Sequence, residues 1–226
     1  LSRDGWIKRV RELKDPTSTR LREGDSIQAV LNGTTRDRLA FFTTKGGLYV
    51  HKIHDVPAST GYGEPIQSVF NFQDGEKILT ASLIRSEPTQ TDGNRAHYHS
   101  AGNDHHEVFD IPPASAISSS PLYLLATAQG MGFRFRPNLE ETTKNGRKIA
   151  RLTVGDEVVS IEPIHSTRAV CATKVGKILA FPVQDISELS GAGRGVILMR
   201  LDTDDCLVGA VTTAPGAGVT VFNPDG

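Results

Sequence analysis

A glycine, an acid and then the start of a β-branched or aliphatic run recur four times along this chain, and that recurrence restricts its fold more than any other feature. The landmark reads Gly24-Asp25-Ser26-Ile27, Gly75-Glu76-Lys77-Ile78, Gly155-Asp156-Glu157-Val158 and, with Asp in place of Gly, Asp204-Asp205-Cys206-Leu207, at intervals of 51, 80 and 49 residues. A hydrophobic strand running into a glycine turn appears as Leu39-Ala-Phe-Phe-Thr-Thr-Lys-Gly46, Leu124-Leu-Ala-Thr-Ala-Gln-Gly130 and Ala169-Val-Cys-Ala-Thr-Lys-Val-Gly176, at 84 and 46. A glycine loop opening a further strand appears at Gly63-Glu64-Pro65-Ile66, Gly146-Arg147-Lys148-Ile149 and Gly195-Val196-Ile197, at 83 and 49. Every long interval spans residues 86–118, so a single insertion explains all three series. The remaining unit, about 50 residues with about four short strands, has the size of a propeller blade.

Composition agrees with short strands and tight turns. The chain has 226 residues, with 22 Gly, 12 Pro and 38% hydrophobic content, enough for a packed core. Leu48 to Ile53, Phe133 to Arg136 and Lys177 to Phe181 mix alternating and fully apolar patterns between Gly or Pro punctuation. Helical periodicity is weak, and only Val183 to Leu189, Pro57 and Leu139 to Thr142 suggest short turns between units. The insertion, rich in Ser, Pro, His, Asp and Asn, reads as a long loop on a blade edge. The expectation is one all-β domain over residues 1–226, a ring of about four four-stranded blades, open, with the last blade clipped near Val219 to Phe222. Approximate units are 1–58, 59–143 with the insertion, 144–190 and an incomplete 191–226.

The net charge of −1 argues, as an average, against a nucleic-acid binder. The average conceals two basic blocks. Residues 1–22 carry Arg3, Lys8, Arg9, Arg11, Lys14, Arg20 and Arg22 against three acids, and residues 127–151 carry Arg134, Arg136, Lys144, Arg147, Lys148 and Arg151 against two. Each block is +4 and the rest of the chain −9, a polarisation that allows a local basic surface in a neutral protein. Cys171 and Cys206 lie in unrelated contexts without metal-site spacing. The chain begins at Leu1 without a leader-like stretch, and its apolar runs are too short to span a bilayer, so it reads as a piece of a soluble cytoplasmic protein.

Leu1-Ser-Arg-Asp-Gly-Trp-Ile-Lys-Arg9, Gly61-Tyr-Gly-Glu-Pro65 and Lys177-Ile-Leu-Ala-Phe-Pro-Val-Gln-Asp-Ile-Ser-Glu-Leu189, followed by Gly191-Ala-Gly-Arg-Gly195, resemble the C-terminal domain of the bacterial type IIA topoisomerase A-subunit. The topoisomerase IV branch is closer than gyrase. The resemblance covers nearly the whole chain and is weakest over residues 86–118. It implies a β-pinwheel, whose blades exchange strands and whose basic outer rim bends duplex DNA for ATP-dependent relaxation and decatenation. Gyrase carries a Gln-Arg-Arg-Gly-Gly-Lys-Gly-type box in its first blade, where this chain has Leu13-Lys-Asp-Pro-Thr-Ser-Thr-Arg-Leu21. The missing box favours topoisomerase IV over a box-less gyrase, with Gly191 to Gly195 as a partial echo in a later blade.

On that resemblance the DNA contacts come foremost from Lys8, Arg9 and Arg11 and from Arg134, Arg136, Arg147, Lys148 and Arg151, then from Lys52, Lys174, Lys177, Arg194 and Arg200. The bland reading of each is a solubilising charge at a strand edge. The resemblance also implies a monomeric isolated domain, a heterotetramer of the full-length enzyme with its ATPase partner, a nucleoid location, and ATP, Mg2+ and the cleaving tyrosine outside this stretch. No Walker loop is present, and Tyr49, Tyr62, Tyr98 and Tyr123 lack an Arg-Tyr context, so no catalytic residue is expected here. Two readings from other classes stand beside it: a protein-binding propeller scaffold, and a metal-dependent hydrolase built on His97, His99, His105 and His106 of the insertion.

Overall fold

The computed structural model describes residues 1–13, 15–86 and 121–220, and apart from four single 3-10 turns its regular structure is all β. In chain order the first strands are β1 (Trp6–Ile7), β2 (Arg38–Thr43), β3 (Gly47–Lys52), β4 (Glu64–Pro65), β5 (Ile78–Ile84), β6 (Tyr123–Thr127) and β7 (Met131–Phe135). They are followed by β8 (Arg147–Lys148), β9 (Val158–Pro163), β10 (Arg168–Thr173), β11 (Ile178–Pro182), β12 (Glu188–Leu189), β13 (Val196–Ile197) and β14 (Leu207–Thr213). Four sheets result: β1-β4, β5-β2-β3-β8, β9-β6-β7 with β12 and β13 both along β7, and β14-β10-β11. An antiparallel bridge from Ser2 to Ile27 extends the first.

The connectivity has one rule. Each unit forms a hairpin (β2–β3, β6–β7, β10–β11), sends its next segment to the preceding sheet, and returns to the first strand of its own hairpin. Thus β4 pairs with β1, β8 with β3, and β12 and β13 with β7, while β5, β9 and β14 return to β2, β6 and β10. The outermost strand of each of the first three blades therefore belongs to the following unit. This is the open, propeller-like all-β architecture expected from the repeat.

The acidic landmark locks each returning strand onto its hairpin turn. A Ser or Thr stands three residues before each turn glycine, and its carbonyl accepts the glycine N–H in Ser2/Gly5, Thr43/Gly46, Thr127/Gly130 and Thr173/Gly176 at 2.9–3.1 Å. The carboxylate of the returning segment caps the same turn. Asp25 accepts the Asp4 N–H at 3.0 Å, Asp156 that of Gln129 at 3.0 Å, and Asp205 that of Val175 at 3.3 Å, each N–H preceding a turn glycine. In the second blade the longer Glu76 instead accepts the Thr43 hydroxyl at 2.5 Å and the Tyr49 hydroxyl at 3.3 Å. Burial and the Glu76 charge push the Tyr49 phenol up to about 12. Oδ2 of Asp25 and of Asp205 is buried without a partner of strict hydrogen-bond geometry. The Ser2 and Thr173 hydroxyls stand beside these carboxyls and already accept N–H groups from Trp6 and Lys177, so we assign each hydroxyl proton to the neighbouring carboxylate.

Exchange is secured in the same way in every unit. The apolar residue three places after the glycine of each loop donates its N–H to the turn glycine of the preceding blade: Ile66 to Gly5 at 2.8 Å, Ile149 to Gly46 at 2.9 Å, Leu198 to Gly130 at 2.8 Å. All three side chains are buried, worth roughly 1.5–3 kcal/mol each. At Gly195, φ is +77° and a Cβ would lie 2.1 Å from the Gly132 carbonyl oxygen, so only glycine fits there. Two arginines add a side-chain bond across the exchange, with Arg9 Nε donating to the Val56 carbonyl at 3.3 Å and Arg134 Nε to that of Ile186 at 2.6 Å. At the matching place in the second blade, the Thr142 hydroxyl accepts the Val50 N–H at 3.1 Å.

The blades stack face to face with a core between each pair. Ile7, Phe41, Tyr49 and Ile66 join the first two sheets. Phe42, Leu48, Leu125 and Phe133 join the second and third. Leu124, Ala169, Cys171 and Leu207 join the third and fourth. Central strands are thus buried on both faces, which is why β2 and β6 read as continuous apolar runs. Strand β11 has no outer partner among the described residues, and Ile178 and Leu179 are 61% and 41% exposed. Beyond Ser86, whose N–H is held by Asp37 at 2.8 Å, the insertion and its four histidines lie outside the described residues. Of the end expected at Val219 to Phe222 only Val219 and Thr220 are described, and neither is in a strand.

Replacing Gly195 with Ala is expected to cost more than about 1 kcal/mol, read as a lower urea midpoint at unchanged slope. Losing the Arg134 side-chain bond in Arg134→Met is expected to cost about 1 kcal/mol by the same measurement. Acid should unlock the turns. Burial alone would raise the Asp25 and Asp205 carboxyls, but hydrogen bonds from the Ser2 and Thr173 hydroxyls and from backbone N–H groups outweigh it and hold both below the ordinary 3.8. Groups depressed in the folded state contribute stability that is fully present above the unfolded value and is lost as pH falls through the folded one. The thermal midpoint of the chain should therefore fall as pH drops below about 4, and Asp25→Asn with Asp205→Asn should flatten that limb.

Candidate nucleic-acid interface

Strand exchange divides the second basic block. Arg134 lies in β7 and Arg136 just beyond it, on the third sheet, whereas Arg147 and Lys148 form β8 and pair with Leu48 and Gly47 of the second. Residues contiguous in sequence thus serve neighbouring blades.

The same topology joins the glycine loops of successive units into a line. Asn71, at the end of the second unit's exchanged segment, donates its N–H to the Lys144 carbonyl at 2.8 Å and its side-chain amide to Asn145 at 2.8 Å. One unit further on, Arg151 N–H donates to the Gly193 carbonyl at 2.9 Å, beside a parallel bridge between Ala150 and Gly193. Residues 142–155 and 189–201 are brought side by side by these bonds, and neither stretch contains an acid. Together they carry Lys144, Arg147, Lys148, Arg151, Arg194 and Arg200, all exposed except the half-buried Arg147. The result is a track of six basic side chains across two blades.

The candidate residues fall into two groups by what they touch. Arg11, Lys148, Arg151, Lys174, Arg194 and Arg200 are exposed, and their side chains make no hydrogen bond or ion pair among the described residues. The others are engaged within the protein. Lys8 Nζ donates to the carbonyls of Gly61 at 2.7 Å and Arg20 at 2.9 Å; burial and the nearby Arg20 charge hold its ammonium below the usual lysine value. Arg9 and Arg134 are the half-buried exchange clamps already described. Arg147 donates to the Asn138 carbonyl, Lys52 pairs with Glu141 at 3.0 Å, Arg136 with Glu188 at 3.4 Å, and Lys177 with Asp202. Lys177 is thereby raised above the ordinary lysine value, by the hydrogen bond to Asp202 and then by its charge.

Three residues outside the candidate set lie on the track or beside the first sheet. Lys144 opens the acid-free track, and its place two residues before the loop glycine was the available signal. Arg20 is exposed, and Tyr62, 55% exposed at the apex of the first glycine loop, lines with it and Arg11 a cleft of about 790 Å3 beside the first sheet. Arg22 covers the Trp6 ring at 4.7 Å from its centroid, so this half-buried ring already has a cation on one face. Tyr49 and Tyr123 are core residues, and burial raises both phenols. Both cysteines are free; Cys171 is buried between the third and fourth sheets, and burial pushes its thiol up to about 11. Among the described residues no helix is long and apolar enough to cross a membrane.

Comparison with known proteins agrees with this architecture. The family described as the DNA gyrase C-terminal domain, beta-propeller, matches residues 37–85, 122–165 and 169–214, together more than half of the chain. The A-subunit of DNA topoisomerase 4 from Caulobacter vibrioides is 26% identical over 203 residues, covering 88% of this chain and 22% of that protein. The A-subunit of DNA gyrase from Helicobacter pylori is 27% identical over 227 residues, covering 93% and 24%. This chain therefore spans about a quarter of the length of these relatives. Among solved structures, a C-terminal domain of DNA topoisomerase IV superposes with a TM-score of 0.73 at 19% identity, covering 94% of this chain and 60% of that one. The E. coli ParC C-terminal domain gives 0.69 at 20% identity, covering 93% and 76%. With the repeat, the exchanged strands and the family match in agreement, the chain belongs to the C-terminal β-propeller domains of bacterial type IIA topoisomerase A-subunits.

Proposed function

We propose that this domain binds duplex DNA through its phosphate backbone and bends it along the line of glycine loops, presenting it to the rest of a type IIA topoisomerase. The observation that carries this reading is the acid-free track. Six basic side chains on two blades are aligned by backbone hydrogen bonds. Phosphate contacts of this kind position DNA without reading its sequence, so selectivity rests on DNA bendability. The emphasis moves from Lys8 and Arg9, which are tied to carbonyls, to Lys148, Arg151, Arg194 and Arg200, with Arg11 extending the surface onto the first blade.

We further assign the chain to topoisomerase IV rather than gyrase, since residues 13–21 contain no glycine and no gyrase-type box. In that assignment the full-length protein joins an ATPase partner in the cytoplasm, and ATP and Mg2+ act outside this domain, which is itself monomeric and inactive. Reconstitution with the ATPase partner should give relaxation and decatenation; introduction of negative supercoils would reverse the assignment.

Binding to a linear duplex should weaken steeply with salt, with a slope near −5 in log K against log salt for six phosphate contacts. Reversing Lys148, Arg151 and Arg194 to Glu should flatten that slope by about 1 per side chain without shifting the urea midpoint. Reversal of the ion-paired Lys177 should have a smaller effect. Salt-independent binding, or no binding at low salt, would refute the DNA reading.

A further inference from the structure

We propose that His51, Asp55 and Glu141 form a binding site for a divalent transition-metal ion such as Zn2+ or Mn2+, bridging two repeat units at the outer edge of the second blade. One nitrogen of the His51 ring and one oxygen from each carboxylate lie within 4.8 Å of one another. Ligands about 2.0–2.2 Å from a common ion require only a small inward movement of side chains that are exposed, in the case of both carboxylates, or half-buried. One nitrogen with two carboxylate oxygens suits Zn2+ or Mn2+ better than the all-oxygen preference of Mg2+.

The three groups come from distinct places. His51 is in β3, Asp55 ends the 3-10 turn that follows it, and Glu141 belongs to the exchanged segment of the next unit, one residue before the Thr142 that bonds Val50. The His51 ring is oriented by an edge contact with Phe70, centroids 5.4 Å apart at 77°. The competing partners are weak. Lys52 pairs with Glu141 at 3.0 Å and His54 with Asp55 at 3.1 Å, all four side chains being substantially exposed, and exposed pairs of this kind contribute little.

The repeat supplies an internal control. Counting from the turn glycine, the place of His51 is taken by Val10, Phe135 and Phe181 in the other blades. Asp55 corresponds to Leu139 in the following unit and to Asp185 in the one after it, and Glu141 to Pro57 and Ser187. The acid at the end of the 3-10 turn recurs, but the His51 and Glu141 places carry no ligating side chain elsewhere, and only the second blade brings all three together. A bound ion would tie the exchanged segment to β3 and release the Lys52 ammonium toward the basic rim.

The test is calorimetric titration with ZnCl2 and MnCl2 of the whole 226-residue chain, with His97, His99, His105 and His106 changed to Ala so that the insertion offers no imidazole. One saturable site per chain is expected, accompanied by a rise in thermal midpoint. Both effects should be lost in Glu141→Gln and in Asp55→Asn, whose metal-free midpoints stay at the parental value. Absence of binding in the parental background, or binding that survives both substitutions, would overturn the proposal. Since the readout involves no nucleic acid, it stands apart from the DNA-binding reading.

Discussion

Everything in this structure depends on a segment of each unit leaving its own hairpin to complete the sheet of the unit before it. The strands exchanged are only two residues long, and a two-residue strand carries too few ladder bonds to hold its place alone. What holds it is the bond from Ile66, Ile149 or Leu198 to the turn glycine of the previous blade, with the same side chain buried beneath. Because each of the first three blades is completed by its successor, the stability of one unit is coupled to that of its neighbour, as in other linear repeats.

The turn that receives the exchanged segment is also the turn capped by the returning acid. One short loop thus accepts a carboxylate from within its unit and an N–H from the next, and both interactions fail if the loop changes shape. Conservation of that shape within the chain shows in the left-handed conformations of Gly5, Gly46, Gly130 and Gly176 at the turns and of Gly24, Gly75, Gly155 and Asp204 at the acidic landmarks. Asp204 takes φ +67° with a side chain present, a conformation that Asp tolerates better than most residues. Where no following unit is described, β11 keeps an exposed apolar edge of the kind that β1, β3 and β7 offer to their successors.

Strand exchange also resolves the electrostatic puzzle of a chain with a net charge of −1. Acids are concentrated in the locking turns, where Glu76 and Asp156 are buried and held by hydrogen bonds within the protein. The glycine loops are acid-free over the third and fourth units, and exchange places them next to one another. Charge is thus sorted by structural role, and a uniform surface average has no bearing on the field that a phosphate backbone meets at the track.

The blade repeat and the all-β class were legible in the sequence, because left-handed turns demand glycine and buried strands demand apolar residues at recurring places. The landmark at Asp204 was recognisable even without its glycine, since the acid and the strand after it kept their spacing. Roles of individual charges were not legible. Lys8, Arg9 and Arg134 look in sequence like the neighbouring Arg11 and Lys148, yet the first three spend their donors on backbone carbonyls from other segments. One such carbonyl for each lies 47 to 53 residues away in the chain, and only strand exchange brings it within reach. By itself the sequence determined the period and the turns, which are local properties; the tertiary structure decided which cations are fasteners and which face solvent, because that depends on partners contributed by the next unit.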